Sequence, residues 1–160
     1  LGYYTLQRNK KEKKLSKALL EPQPRLKEGR LLAQLHSVTS SMDLSDGLSA
    51  SLYQLQEINP VGFEIDKNVL PLASGLNQRF HADYGADPYS LALHFGGDYE
   101  LLMTVTPQKF ERTKRTLQKH GVTFTSIGTV TQKRKIILLE NGKKKILPNK
   151  GYEHFKKHDL

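Results

Sequence analysis

Apolar residues recur at helical spacing in several stretches of the chain. Leu15, Leu19 and Leu20 mark the apolar face of a basic helix from Leu1 to Leu20, which Pro22 and Pro24 stop. Leu31, Leu32 and Leu35 repeat the period over Arg25–Leu35. Leu48, Leu52 and Leu55 predict a helix from Leu48 to about Glu57, ended by Asn59-Pro60. The clearest helix opens at Thr106-Pro107, carries Phe110, Thr113 and Leu117, and closes at Gly121. Two shorter helices are expected, one around Leu76 to Phe80 and one through Leu93. Asp87-Pro88 opens the latter, an acid cap before a proline at the first helical position.

Other stretches follow the period of a strand. Val61-Gly62-Phe63-Glu64-Ile65-Asp66 alternates apolar with polar and reads as half-buried. His36-Ser37-Val38-Thr39-Ser40 leans the same way. Tyr99 to Val105, Phe124 to Val130, Lys135 to Leu139 and Lys144 to Leu147 are predicted strands. Asn141-Gly142 between the last two is a strong two-residue hairpin signal. Helices and strands interleave, and at least one strand pair is antiparallel. The expected fold class is α+β, a mixed β-sheet flanked by helices.

Composition narrows the classes. A chain of 160 residues suits one ordinary domain, and a 37% hydrophobic share is adequate for a core. No run of about eighteen apolar residues is present, so no membrane partner is expected. The start lacks the apolar region of a signal peptide. Cysteine is absent, which excludes disulfides and thiolate metal sites and fits a cytoplasmic setting. The net charge of +9 would attract nucleic acid, anionic lipid or phosphorylated small molecules. The basic residues gather in Arg8–Lys14, Lys133-Arg134-Lys135 and Lys143-Lys144-Lys145, with few aromatics between them. Such runs read as solvated surface rather than as a base-stacking platform, so nucleic acid is not the expected partner.

The chemistry concentrates in Ser41-Met42-Asp43-Leu44-Ser45-Asp46-Gly47-Leu48. Two carboxylates, a hydroxyl and a glycine crowd the point where a strand or loop becomes a helix. Unpaired backbone N–H groups there favour negative charge. Phosphate binds at such a place directly, or through a metal that the carboxylates hold. The plainer alternative makes Ser45 or Asp46 the helix cap and Asp43 a loop residue. Phe95-Gly96-Gly97-Asp98-Tyr99-Glu100 is the second such stretch. Its glycines allow a close backbone approach, and its alternation sets Asp98 and Glu100 opposite Tyr99; otherwise it is a turn leading into an edge strand. The six histidines are scattered, and no pair has the metal-binding spacing of an HExxH helix. His120 suits a helix C-terminus. Walker A, dinucleotide and nucleophile-elbow patterns are absent.

Taken in order, several stretches resemble the thiamine-monophosphate kinase family. They are Glu21-Pro22-Gln23-Pro24-Arg25-Leu26 with Glu28-Gly29, then Met42–Leu48, and Leu70-Pro71-Leu72. Gly97–Leu102, Ile127-Gly128-Thr129-Val130 and Gly151-Tyr152-Glu153-His154-Phe155 follow. The family belongs to the aminoimidazole ribonucleotide synthetase superfamily, whose members pair an N-terminal ATP-binding domain with an α+β C-terminal domain. The resemblance implies that residues 1–24 are a linker and helical segment from a missing N-terminal domain, and that residues 25–160 form the C-terminal domain.

It further implies ATP- and Mg2+-dependent phosphorylation of thiamine monophosphate to thiamine diphosphate, and a homodimer formed through the missing domain. Asp43 and Asp46 would then be magnesium ligands, and Ser45 would touch ATP phosphate. Gly97, Asp98 and Tyr152 would face the substrate. No general base is assigned, because a phosphate nucleophile is already ionised. The fragment alone is expected to be inactive. One departure stands out: many members carry Gly-Gly-Glu-Asp-Tyr-Glu, and Gly97 falls where that glutamate would be. Tyr152 and Phe155 would pack on a thiamine ring or within the core. The alternatives are another ATP-dependent member of the superfamily and a non-catalytic basic binding domain.

Overall fold

The computed structural model describes residues 17, 19–73, 85 and 87–152. Among them, four α-helices and six strands form an α+β fold. They are α1 (Leu26–Leu35), β1 (Val38–Asp43), α2 (Leu48–Ile58), β2 (Gly62–Asp66) and α3 (Pro88–His94). Next come β3 (Leu101–Val105), α4 (Pro107–Lys119), β4 (Gly128–Thr131), β5 (Ile136–Glu140) and β6 (Lys143–Ile146). A short 3-10 turn, Lys67–Val69, follows β2.

The strands divide into two sheets rather than one. β4, β2, β5 and β6 lie side by side in that order, with β2 and β5 parallel and the other neighbours antiparallel. β1 and β3 form a separate antiparallel pair, with Asp43 opposite Leu101. Alternation sends Phe63, Ile65, Ile136 and Leu138 to one face of the four-stranded sheet, where α2 and α3 cover them. Leu48, Leu52 and Leu55 from α2, and Leu93 from α3, complete the core with Leu70 and Leu147. Met42 and Leu102 join it from the two-stranded sheet and Leu44 from just after β1, so the core reaches the acid-rich turn.

Local chemistry explains most boundaries. Asp87 accepts from the N–H groups of Tyr89 and Ser90, the cap its place before Pro88 foretold. Asn141 and Gly142 both have positive φ, as the tight hairpin turn requires. His120 ends α4, its Nδ1 2.9 Å from the Thr116 carbonyl. Thr113 on α4 donates to Ser37 just before β1, and both side chains are buried. The basic clusters around Lys133 and Lys143 are exposed.

Three boundaries move from the sequence reading. The strand expected from Tyr99 begins at Leu101, because Tyr99 takes φ 52 and breaks the extended run. The strand expected from Phe124 begins at Gly128, since Phe124 packs on Phe110 with ring centroids 5.6 Å apart. The β-leaning run near Val38 extends through Asp43, making that carboxylate the last strand residue. The expected helix at Leu76–Phe80 lies outside the described residues, as do Arg8–Lys14 and Phe155.

Glu140 at the end of β5 accepts hydrogen bonds from Lys145 and Lys67, and these hold its carboxyl down to about 2. A carboxyl depressed in the folded state adds stability that is complete above its unfolded value. That stability is lost as pH falls through the folded value. Urea midpoints should therefore drop between about pH 4.3 and pH 2, and Glu140→Gln should flatten that drop. An equal acid slope in the variant would show that these bonds do not form.

Candidate active site

The turn after β1 is held from two sides by backbone. Leu44 N–H donates to the Glu100 carbonyl at 2.9 Å, and Tyr99 N–H to the Leu44 carbonyl at 3.2 Å. Gly97 N–H then donates to the Ser45 carbonyl at 2.8 Å. These bonds carry the β1–β3 pairing past the strand ends and zip the two chemical stretches together. From the other side, Tyr152 N–H donates to the Asp46 carbonyl at 3.0 Å. Three stretches that are remote in sequence thus meet at Leu44–Gly47.

Their glycines permit the approach. A Cβ on Gly96 would stand 2.0 Å from the Ser45 carbonyl oxygen. On Gly151 it would stand 2.3 Å from Ala50 Cβ and 2.6 Å from the Asp46 carbonyl oxygen. Gly47 has φ 95, and its Cβ would lie 2.8 Å from the His94 carbonyl carbon. All three positions exclude any larger residue.

Gly47 itself is the residue that caps α2, and no side chain caps that helix. The alternative in which Ser45 or Asp46 serves as the cap is therefore incorrect. Asp43 and Ser45 are exposed and Asp46 is half-buried. Ser45 Oγ donates to Asp46 Oδ2 at 3.2 Å. Among the described residues no cluster of three or more acids or histidines gathers. Asp43 ends β1 and Asp46 stands just ahead of α2, and carboxylate oxygens are the donor type that hard cations take.

Comparison with known proteins gives the family of the domain. The family model for AIR synthase related protein, C-terminal domain, matches residues 3–140. The chain belongs to this family. It is 34% identical over 142 residues to the thiamine-monophosphate kinase of Buchnera aphidicola subsp. Acyrthosiphon pisum, covering 88% of this chain and 42% of the relative. Against the thiamine-monophosphate kinase of Methanospirillum hungatei, identity is 35% over 138 residues, or 86% and 42% of the two lengths. The solved structure of AaThiL complexed with AMPPCP and TMP matches with TM-score 0.76 and 29% identity, over 96% of this chain and 47% of that one. The chain spans less than half the length of these relatives.

Within this AIR synthase related domain, the other predicted residues spread around the turn. Gly97 has φ 87, and a Cβ built there meets nothing within 4 Å. The space a side chain would use is therefore open. Asp98 and Tyr152 are exposed, Tyr152 at 60%. Although Asp98 is exposed as a whole, partial desolvation raises its carboxyl above the ordinary value, and the charge of Glu100 adds to the shift. Asp98 and Glu100 do not share a strand face, because the strand starts after them. Glu100 turns instead to Arg25, whose Nε and Nη2 donate to its two oxygens at 3.0 and 2.5 Å.

Arg25 and His94 escaped the sequence reading. Arg25 appeared there only as part of a proline-flanked segment. His94 appeared as one scattered histidine, and only its place just before the glycine pair hinted at a role. Its Nδ1 lies 2.8 Å from Ser49 Oγ in the first turn of α2. Desolvation lowers its pKa, and the Lys150 charge lowers it further.

The glycine contacts predict unequal effects of equal substitutions. Gly96→Ala should cost about 3 kcal/mol or more, because the opposing atom is backbone and cannot rotate away. Gly97→Ala should cost only about 1–2 kcal/mol, the left-handed φ alone. Urea unfolding of the two variants checks this, and equal losses would contradict the close approach at Ser45.

Proposed function

We propose that this chain is the C-terminal domain of a kinase that phosphorylates thiamine monophosphate to thiamine diphosphate, using ATP and Mg2+. The observation that carries the reading is the convergence at Leu44–Gly47. There the acid-rich turn, the glycine stretch and the Gly151-Tyr152 segment are bonded into one unit. The relatives named thiamine-monophosphate kinase support the reaction. The AaThiL complex with AMPPCP and TMP supports an ATP-like nucleotide and thiamine monophosphate as the ligand pair.

In this reading residues 1–24 lead in from an N-terminal ATP-binding domain, through which the protein forms a homodimer, and residues 25–160 are the C-terminal domain. Asp43 and Asp46 bind magnesium, and Ser45 touches ATP phosphate. Magnesium neutralises phosphate charge and aligns donor with acceptor, which is most of what phosphoryl transfer needs from a protein. The acceptor phosphate is already ionised, so no general base is assigned. Gly97, Asp98 and Tyr152 face thiamine monophosphate. The open space at Gly97 stands where the family resemblance implies a glutamate; Asp98 or a backbone group replaces its contact, or the substrate sits differently. The setting is cytoplasmic. Among the described residues no helix is long and apolar enough to cross a membrane.

The test is transfer from ATP to thiamine monophosphate by this chain joined to an N-terminal domain of the kind its relatives carry. Thiamine diphosphate should form. Asp46→Asn should lower turnover by about 100-fold or more, while stability changes by less than about 1 kcal/mol. Undiminished turnover in that variant would remove the metal role. Transfer to a different acceptor would keep the superfamily and change the substrate.

A further inference from the structure

We infer that His94 is a positioning residue that fixes the turn carrying Asp43, Ser45 and Asp46. The inference rests on the kinase reading for its functional consequence, though not for its geometry.

His94 holds the start of α2 at two points. Its Nδ1 lies 2.8 Å from Ser49 Oγ, and Ser49 is completely buried. Its main chain presses on Gly47, where a Cβ would stand 2.8 Å from the His94 carbonyl carbon and 2.9 Å from the oxygen. The two contacts fall on either side of Leu48, itself a core residue. His94 therefore touches the residue that caps α2 and the first buried hydroxyl inside that helix. The next residues continue along the same seam, with Gly96 against the Ser45 carbonyl and Gly97 N–H bonded to it.

His94 is in turn fixed by α3. Asp87 caps that helix at one end, Leu93 anchors it in the core, and Phe95 N–H closes it on the Leu91 carbonyl at 2.9 Å. The imidazole is thus a rigid strut between α3 and the acid-rich turn. A hydrocarbon in its place would leave the buried Ser49 hydroxyl unpaired, at a cost of about 1–3 kcal/mol. The turn would have a route to relax. Metal ligands must be held to within about 0.5 Å, and loss of a group that orients them typically weakens metal use about 10- to 100-fold.

The experiment uses the full-length protein containing this chain. His94→Leu should raise the Mg2+ concentration for half-maximal phosphoryl transfer about 10- to 100-fold. His94→Asn, which keeps a polar atom near the Nδ1 position, should restore it to within about threefold of wild type. Ser49→Ala removes the same bond with little change in volume. It should raise the Mg2+ requirement as His94→Leu does, and it decides the matter if the leucine variant does not fold. Folded variants with an unchanged Mg2+ requirement would overturn the proposal, and so would a failure of asparagine to rescue.

Amide hydrogen exchange gives a second readout that needs no turnover. Exchange at residues 51–53, the first amides bonded within α2, should quicken in His94→Leu while β2 and β5 keep wild-type protection. If the wild-type protein transfers no phosphate, the kinase reading fails and exchange alone judges the strut. Unchanged exchange at residues 51–53 would then overturn it.

Discussion

The close passage of Gly96 over the Ser45 carbonyl is the constraint on which the site depends. No side chain fits between the two backbones, so main chain meets main chain without a spacer. The Gly97 N–H bond to Ser45 follows from that proximity, and the Tyr99–Leu44–Glu100 bonds extend it into the β1–β3 pair. A Cβ at this point would push the two motifs apart and leave the buried part of each turn to find other partners. Each glycine contact is small. Together they determine that the acids, the open position at Gly97 and the Tyr152 segment share one surface.

Beneath that surface the support is apolar and continuous. α2 lies with Leu48, Leu52 and Leu55 on the four-stranded sheet, and α3 lies beside it with Leu93. Met42 and Leu44 alternate with Ser41, Asp43 and Ser45, so apolar residues of the same segment reach the core while polar ones face out. The polar side chains sit on the outward half of a segment whose inward half is packed on the core. At the other end of that strand, Thr113 and Ser37 bond in a buried contact with α4. On the near side Arg25 reaches Glu100, tying the start of α1 to the glycine stretch. An exposed ion pair of this kind adds little stability, but its two-pronged geometry limits where Glu100 can point.

Much of this was legible in the residues, for stated reasons. Strong period and strong punctuation made α2, α4, the Asp87-Pro88 helix start and the Asn141-Gly142 hairpin plain. The acid-rich turn was legible as the place where a strand or loop becomes a helix, which is the β1–α2 junction. Three things were not legible. The division into two sheets depends on pairings between distant strands, which local period does not encode. The late start of β3 depends on Tyr99 taking a left-handed φ, a conformation tyrosine rarely adopts and that the Leu44 and Ser45 bonds impose. The burial of Ser49 beside His94 was hidden because a serine in the first turn of a helix ordinarily faces water.

The long reach of the pairings around the turn also governs when the site can exist. Ser49 and His94 are 45 positions apart, and Tyr53 donates to a Leu147 carbonyl 94 positions away. Ordering such contacts requires closing large loops before any contact rewards it, so they form late and slowly compared with the β5–β6 hairpin. A chain still being synthesised can complete that hairpin while Gly151 and Tyr152 have yet to dock on Asp46. Until they dock, the acid turn lacks one of its two backbone clamps. The acidic turn therefore reaches its final shape only once the segment around Tyr152 has been made and docked on the Asp46 carbonyl.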